Sequence, residues 1–415
     1  MVMPECLPFL GWRYNSQKVN IEAVVAPPYD VVTEEEKVLY WKKSPYNIFH
    51  LELPESYQKA KLLLENWINS QILLKEPQPC LYFYELSFPK KEMMFSRKGW
   101  ILLVKLHPFE EGVVLPHEKV FPKVTEDRFE LLKATGFQFS QVFGLYEDPT
   151  LKTLSYNPTD LLYEVSYQEQ THRLYKVSDL EVIQEVVAYL KDQKIYIADG
   201  HHRYTTALRY KEYMENLLRK NNQKDYNYIA MYVCPIEEPN LLMLPTHRVY
   251  RLDDIEGFLK SLENFTEKIM SVEPINFSEN LFKLKEREFG LCLKDKIMVF
   301  RIKDEVYERF KQKDPVLANL TLYNFLSLME EAFQMDEEIL KEKKQVRFLS
   351  KVEEVLKNLK PGDIGVIFPE LSPLILKEVA LQGKRMPHKS TFFYPKVLTG
   401  LVLNEVSGKN LDFNL

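Results

Sequence analysis

The run Ile195-Tyr196-Ile197-Ala198-Asp199-Gly200-His201-His202-Arg203-Tyr204 constrains this chain more than any other. An apolar stretch of strand-forming character ends on an acid, a glycine follows, and a helical pattern begins at once. The spacing predicts a strand over 194–198 that ends at Asp199, a tight turn at Gly200 and a helix from about His202. Tyr204, Ala207, Leu208, Met214 and Leu217 recur at helical spacing and are expected to form the buried face of that helix.

The same turn gathers Asp199, His201, His202 and Arg203 at a strand end and a helix start. A helix N-terminus presents unpaired N–H groups and the positive end of its dipole, which suits phosphate. Arg203 adds a forked donor set that matches phosphate oxygens. Adjacent imidazoles in a chain with 8 histidines point to a ligand site. The structural alternative is that Asp199 caps the helix while the histidines and Arg203 make structural hydrogen bonds. Asp and His are also zinc ligands, but no second cluster with ligand spacing is evident nearby, so no metal site is assigned.

Two further segments carry chemistry. In Leu115-Pro116-His117-Glu118-Lys119, a carboxylate stands between an imidazole and an ammonium on a proline-bracketed loop. Glu118 there is either a solvated loop acid or a general base tuned by its neighbours. Arg385-Met386-Pro387-His388-Lys389-Ser390-Thr391-Phe392, followed by Tyr394-Pro395-Lys396, sets basic and hydroxyl groups on a loop entering a strand. Lys389, Ser390 and Thr391 are ingredients of a phosphate cradle, although the G-x-x-x-x-G-K-[ST] loop is absent. Asp30, after Pro27-Pro28-Tyr29, reads as a turn or capping acid, with a substrate-ammonium role as the alternative. His247 and Arg248 follow a strand and are candidates for lining the same pocket.

Composition narrows the function classes. Lys plus Arg number 55 and Asp plus Glu 60, a net charge of −5, which argues against a nucleic-acid binder. Cys6, Cys80, Cys234 and Cys292 are widely spaced and form neither a disulfide framework nor a C-x-x-C pair. No apolar run reaches the length of a membrane span, and Met1–Tyr14 lacks the marks of a signal peptide, so a cytoplasmic protein without a membrane partner is expected. The oligomeric state is not legible.

Tyr57–Asn69 has helical periodicity, whereas Cys80–Phe88 and Gly99–Leu106 read as strands. Thr125 is expected to cap a helix running to Ala134. Tyr226, Tyr228 and Tyr232 alternate and read as strand core. Farther on, the pattern predicts helices around Asp253–Phe265, Leu320–Ala332 and Val352–Leu359, a strand pair around Phe289–Ile302, and a strand, helix and strand over Ile364–Val402.

Taken in order, VVAPPYDV (Val24–Val31), SPYN (Ser44–Asn47), EEGVVLPHE (Glu110–Glu118), EDR (Glu126–Arg128), YIADGHHRY (Tyr196–Tyr204), LPTHR (Leu244–Arg248) and MPHKSTFFYPK (Met386–Lys396) resemble a bacterial and archaeal family labelled only as a domain of unknown function, DUF1015. The resemblance spans nearly the whole chain. More distantly, the three chemical segments are similar to motifs of the ParB/sulfiredoxin superfamily, in the branch that phosphorylates free L-serine with ADP or ATP. In that branch a P-H-E turn, a D-G-H-H-R turn and a C-terminal P-K-T-T-like loop follow in the same order.

The resemblance implies an α+β fold, with a ParB/sulfiredoxin-like mixed-sheet core and an additional α/β domain. Residues 1–250 would form the core with an N-terminal elaboration, 251–360 the additional domain, and 361–415 a strand-helix-strand segment returning to the active site. It implies phosphoryl transfer from ATP or ADP, with Mg²⁺, to a small hydroxyl substrate, most simply L-serine. Glu118, His202 and Asp199 would be catalytic. Gly200, His201, Arg203, Lys389, Ser390 and Thr391 would bind nucleotide, and His117, Asp30, His247 and Arg248 the substrate. The alternative within the superfamily is a nucleotide-binding regulator or slow nucleotide hydrolase.

This chain departs from the kinase pattern in one large respect. Glu118 and His202 lie 84 residues apart, which requires an insertion after Arg128. Lys119-Val120 also stands where the unknown-function family has Arg-Thr. A sulfiredoxin cysteine is replaced by His201, and no helix-turn-helix of the ParB type is evident.

Overall fold

Residues 4–90, 93–120, 122–274 and 283–411 are described in a computed structural model of the chain. Met1–Met3 of the N-terminal segment and Phe121 of the loop after Lys119 lie outside them. The chain divides into two units, one of residues 1–116, 120–241 and 395–415, the other of residues 117–119 and 242–394.

The first unit is built on a sheet whose strands are β1 (Cys6–Leu7), β2 (Leu81–Lys90), β3 (Met93–Lys105), β4 (Val114–Leu115), β5 (Val142–Tyr146), β6 (Asp160–Tyr167), β7 (Gln170–Val177), β8 (Ile195–Asp199) and β9 (Tyr228–Pro235). Their order is β4-β8-β5-β9-β3-β2-β7-β6, with β1 pairing against the end of β3. The β4–β8 and β5–β9 pairs are parallel and the others antiparallel, so the sheet is mixed and open. With helices packed around it, the fold is α+β.

Four longer helices belong to this unit: α1 (Tyr57–Asn69), α2 (Pro122–Thr135), α3 (Leu180–Lys191) and α4 (His201–Leu218). α1 occupies the predicted span, starts where Ser56 accepts from the Lys59 backbone N–H, and buries Ala60, Leu64 and Trp67. Burying a side chain such as Leu64 contributes about 2 kcal/mol. Trp100, Leu102, Ile195 and Ile197 of the sheet share a core with Tyr204 and Ala207 of α4. All four cysteines are buried free thiols, and burial pushes Cys6 up to about 12.

Three local expectations are corrected. α2 begins at Pro122, which fits the first turn of a helix because its missing N–H has no partner there anyway. Thr125 is therefore inside the helix and buried, not its cap. In α4 the buried face is His201, Tyr204, Thr206, Ala207, Tyr210 and Met214, while Leu217 is 62% exposed because the last turn passes beyond the core. Tyr228 and Tyr232 are buried in β9 as expected, but Tyr226, also buried, lies on the short turn Asp225–Asn227 before the strand.

The second unit has its own sheet and core. Its strands are β10 (Leu242–Pro245), β11 (His247–Arg251), β12 (Thr266–Val272), β13 (Glu288–Cys292), β14 (Ile297–Ile302), β15 (Val346–Leu349), β16 (Asp363–Ile367) and β17 (Thr391–Tyr394). Six of them form an antiparallel sheet in the order β12-β14-β13-β16-β11-β15, and β10 pairs with β17 as a separate ribbon. The helices are α5 (Ile255–Leu262), α6 (Asp304–Lys313), α7 (Thr321–Phe333), α8 (Glu337–Glu342), α9 (Val352–Lys357) and α10 (Pro373–Leu381). Phe289, Phe300, Phe310 and Phe325 anchor the core between sheet and helices. Among the described residues no helix is long and apolar enough to cross a membrane.

Candidate functional site

In the first unit, β8 ends at Asp199 and α4 begins at His201. Gly200 bridges them with φ at 94°, in the left-handed region where a side chain is strained. A Cβ there would also lie 3.0 Å from Arg203 Nε. Gly200 is the N-cap residue, and no side chain caps the helix. Asp199 instead accepts from two cations: Arg203 Nη2 at 3.0 Å and Lys396 Nζ at 2.8 Å. A second guanidinium nitrogen, Arg203 Nη1, donates to the Gln141 carbonyl at 2.6 Å. His201 is buried and His202 half-buried on the first turn of the helix.

Two acids share this cationic pair and respond oppositely. Burial pushes the Asp199 carboxyl up, but Lys396 and Arg203 outweigh it and hold the group below the usual carboxylate range. Asp30 lies on the short turn Tyr29–Val31. Asp30 is exposed as a residue, yet desolvation of its carboxyl by neighbouring groups, followed by the charge of Asp199, pushes it up against the pull of Arg203 and Lys396. Paired acids driven apart in this way mark sites of chemistry. Beside them Arg128 lies 4.5 Å from the Tyr29 ring, and its Nη1 donates to the Glu52 carbonyl at 2.7 Å.

The second unit brings together the other two chemical segments. Lys389 takes a left-handed φ of 47°, and its backbone N–H donates to Glu118 Oε1 at 3.1 Å across 271 residues of sequence. His388 Nδ1 lies 3.5 Å from the same oxygen. His117 is 1% exposed, its Nε2 lies 3.2 Å from Thr391 Oγ1, and its carbonyl accepts from the Met386 backbone N–H at 2.8 Å. Ser390 is buried, and its hydroxyl donates back to the Pro387 carbonyl within the turn.

Arg248 explains why this turn is held. It is fully buried. Nε and Nη2 pair with Glu337 at 3.2 and 3.3 Å, Nη2 also reaches the His388 carbonyl at 2.8 Å, and Nη1 reaches the Lys389 carbonyl at 2.9 Å and the Thr246 carbonyl. All its N–H donors are thereby spent on the protein. His247, the neighbouring candidate, is buried on β11 with its Nδ1 accepting from the Phe368 backbone N–H at 3.2 Å.

Asp199, Arg203 and Asp30 thus cluster in the first unit with His201 and His202 on the adjoining turn, and His117, Glu118, Lys389, Ser390, Thr391, His247 and Arg248 belong to the second. Sequence reasoning passed over Lys396 and His388 as site residues. Both lay inside the Met386–Lys396 motif, and only their folded neighbours single them out.

Asp199 does not fit Mg²⁺ in this arrangement, because each of its oxygens already faces a cation. Among the described residues no group of three or more His, Cys, Asp or Glu is placed to hold a metal ion.

An α+β protein with an open mixed sheet, an ion-paired Asp-Gly-His-His-Arg turn and a second unit carrying a braced Glu118 is the class defined by these features. The chain belongs to the family described as protein of unknown function DUF1015, whose sequence pattern matches residues 6–351. No curated protein matches the chain. Solved structures with some likeness include a C-terminally truncated SbnI from Staphylococcus aureus, 12% identical over 72% of this chain and 85% of its own, with a TM-score of 0.35. A conserved hypothetical protein from Pyrococcus furiosus is 12% identical over 75% of this chain and 95% of its own, with a TM-score of 0.34. A free serine kinase in complex with AMP is 13% identical over 72% of this chain and 92% of its own, with a TM-score of 0.36. Likeness at this level does not establish a shared fold.

Proposed function

We propose that the chain is a ParB/sulfiredoxin-like phosphotransferase that moves a phosphoryl group from ATP or ADP to a small hydroxyl substrate, with free L-serine the favoured acceptor. Phosphoryl transfer depends mainly on positioning and on neutralising charge around the transferred group. His202, Arg203 and the helix start after Gly200 would hold that group, and Asp199 would set the guanidinium. Glu118 would accept the hydroxyl proton, with Lys389, Ser390 and Thr391 forming the turn that binds phosphate oxygens. Mg²⁺ would arrive on the phosphates of the nucleotide rather than on Asp199.

One observation carries the reading. The Pro-His-Glu corner and the Lys-Ser-Thr loop, remote in sequence, meet in one unit with Glu118 held by a backbone N–H. That bond fixes the orientation of the Glu118 carboxylate, and a general base has to be oriented toward the proton it takes.

The test is incubation with ATP or ADP, with and without L-serine, scored for O-phosphoserine. Glu118→Gln is expected to lower turnover about a hundredfold to ten-thousandfold while nucleotide affinity stays nearly unchanged. Equal turnover in that variant rejects Glu118 as the base. Nucleotide loss that does not depend on serine rejects the kinase in favour of a hydrolase.

A further inference from the structure

A cleft of about 140 Å³ in the second unit is used by neither cluster. Leu244 and Pro245 of β10, Val352 of α9, and Phe368 and Pro369 after β16 give it apolar walls. His247 also lines it, although that residue is only 3% exposed. Because Nδ1 accepts from the Phe368 N–H, the neutral ring carries its proton on Nε2. That Nε2–H has no hydrogen-bond partner among the described residues. Burial and then the neighbouring Arg248 push the imidazole down to about 3, so it stays a neutral donor at physiological pH. Exposed Lys283 and Glu370 complete the polar rim.

An N–H without a protein partner that opens to a cleft is available to an acceptor placed there. Apolar walls with one convergent donor suit a flat ring bearing an acceptor, and an ammonium at the rim suits an anion attached to that ring. We infer that this cleft takes the heterocyclic base of a nucleotide, with His247 Nε2–H donating to a ring nitrogen or carbonyl and Lys283 meeting the phosphate side. The inference rests on the nucleotide reading above and assigns its base-recognition site to the second unit.

Adenosine, which has no phosphates, is the probe. Calorimetric titration of the full chain should detect binding, Val352→Trp should abolish it by filling the cleft, and His247→Phe should weaken it about tenfold. Circular dichroism checks that both variants fold. Photolabelling of the unaltered chain with 8-azidoadenosine should modify peptides containing Leu244–His247 or Ile367–Pro369. Absence of adenosine binding, unchanged affinity in the folded variants, or labelling confined to other peptides overturns the inference. O-phosphoserine formation is scored on the same preparations. If serine is phosphorylated but the adenosine results fail, only the cleft assignment falls. If adenosine binds as expected and no phosphoserine forms, only the kinase reading falls.

Discussion

Asp199 Oδ1 accepts a hydrogen bond from Lys396 Nζ at 2.8 Å, tying the end of a central strand to a segment 197 residues downstream. The other carboxylate oxygen takes Arg203, so the acid is neutralised twice. Both Asp199 and Lys396 side chains are largely buried, at 20% and 13% exposure. Lys396→Met leaves Asp199 paired with Arg203 alone and is expected to destabilise the first unit by about 2 kcal/mol. Asp199→Asn in the same chain should cost less than the two single losses summed, because both changes remove the same ion pair. Denaturant titration of the two single variants and the double variant measures the coupling, and simple additivity would mean that the pair is not energetically linked.

Gly200→Ala tests the turn itself. The substitution puts a side chain at φ 94° and a Cβ 3.0 Å from Arg203 Nε. The strain costs about 1–2 kcal/mol, and the guanidinium has to shift off Asp199. Lower stability should therefore come with weaker nucleotide binding, read by thermal melting and by titration. A variant that melts and binds like the parent would show that the turn tolerates a side chain.

Arg248→Lys keeps the charge but loses the fork that grips Glu337 and the carbonyls of His388 and Lys389. A single ammonium cannot make all of those bonds. The expected result is a loss of about 3 kcal/mol in the second unit and faster amide exchange at Lys389, whose N–H is the one that Glu118 accepts. Unchanged exchange at that amide would separate Arg248 from the geometry of the loop.

Stability should also fall with acid before the carboxylates titrate. Burial, with Arg97 near one ring and Arg248 near the other, pushes His172 and His247 down to about 3. Both rings take up protons in the unfolded chain near 6.5, but in the folded chain only near 3. The unfolded state therefore binds more protons between those values, and stability drops as pH falls through the window. Each ring contributes about 1.4 kcal/mol per pH unit there. Chemical denaturation from pH 7 to 4 reads the slope, and His172→Gln should flatten the part that belongs to the first unit.

Much of the secondary structure was legible because it is written in local spacing. Tyr57–Asn69 has the apolar period of a helix and folds as one over that span. The strand, glycine and helix at Ile195–Leu218 follow the same logic, since glycine takes the φ of 94° in that short turn without strain. Errors arose where tertiary context overrides the period. Leu217 fits the stripe of α4 but lies past the edge of the core, and Tyr226 fits the alternation of β9 but falls on the turn before it.

The chemical segments themselves could be picked out from residue type, because acids, imidazoles and basic groups around glycine and proline are conspicuous in any chain. Their partners could not. That Glu118 meets Lys389, that Asp199 meets Lys396, and that Arg248 spends its donors on a loop near residue 388 all follow from which strand lies beside which. Local periodicity sets whether a segment becomes helix or strand and which residues it turns inward. Sheet order and chain return are decided by the packing of whole cores, and a contact that closes hundreds of residues leaves no periodic trace in the sequence on either side of it.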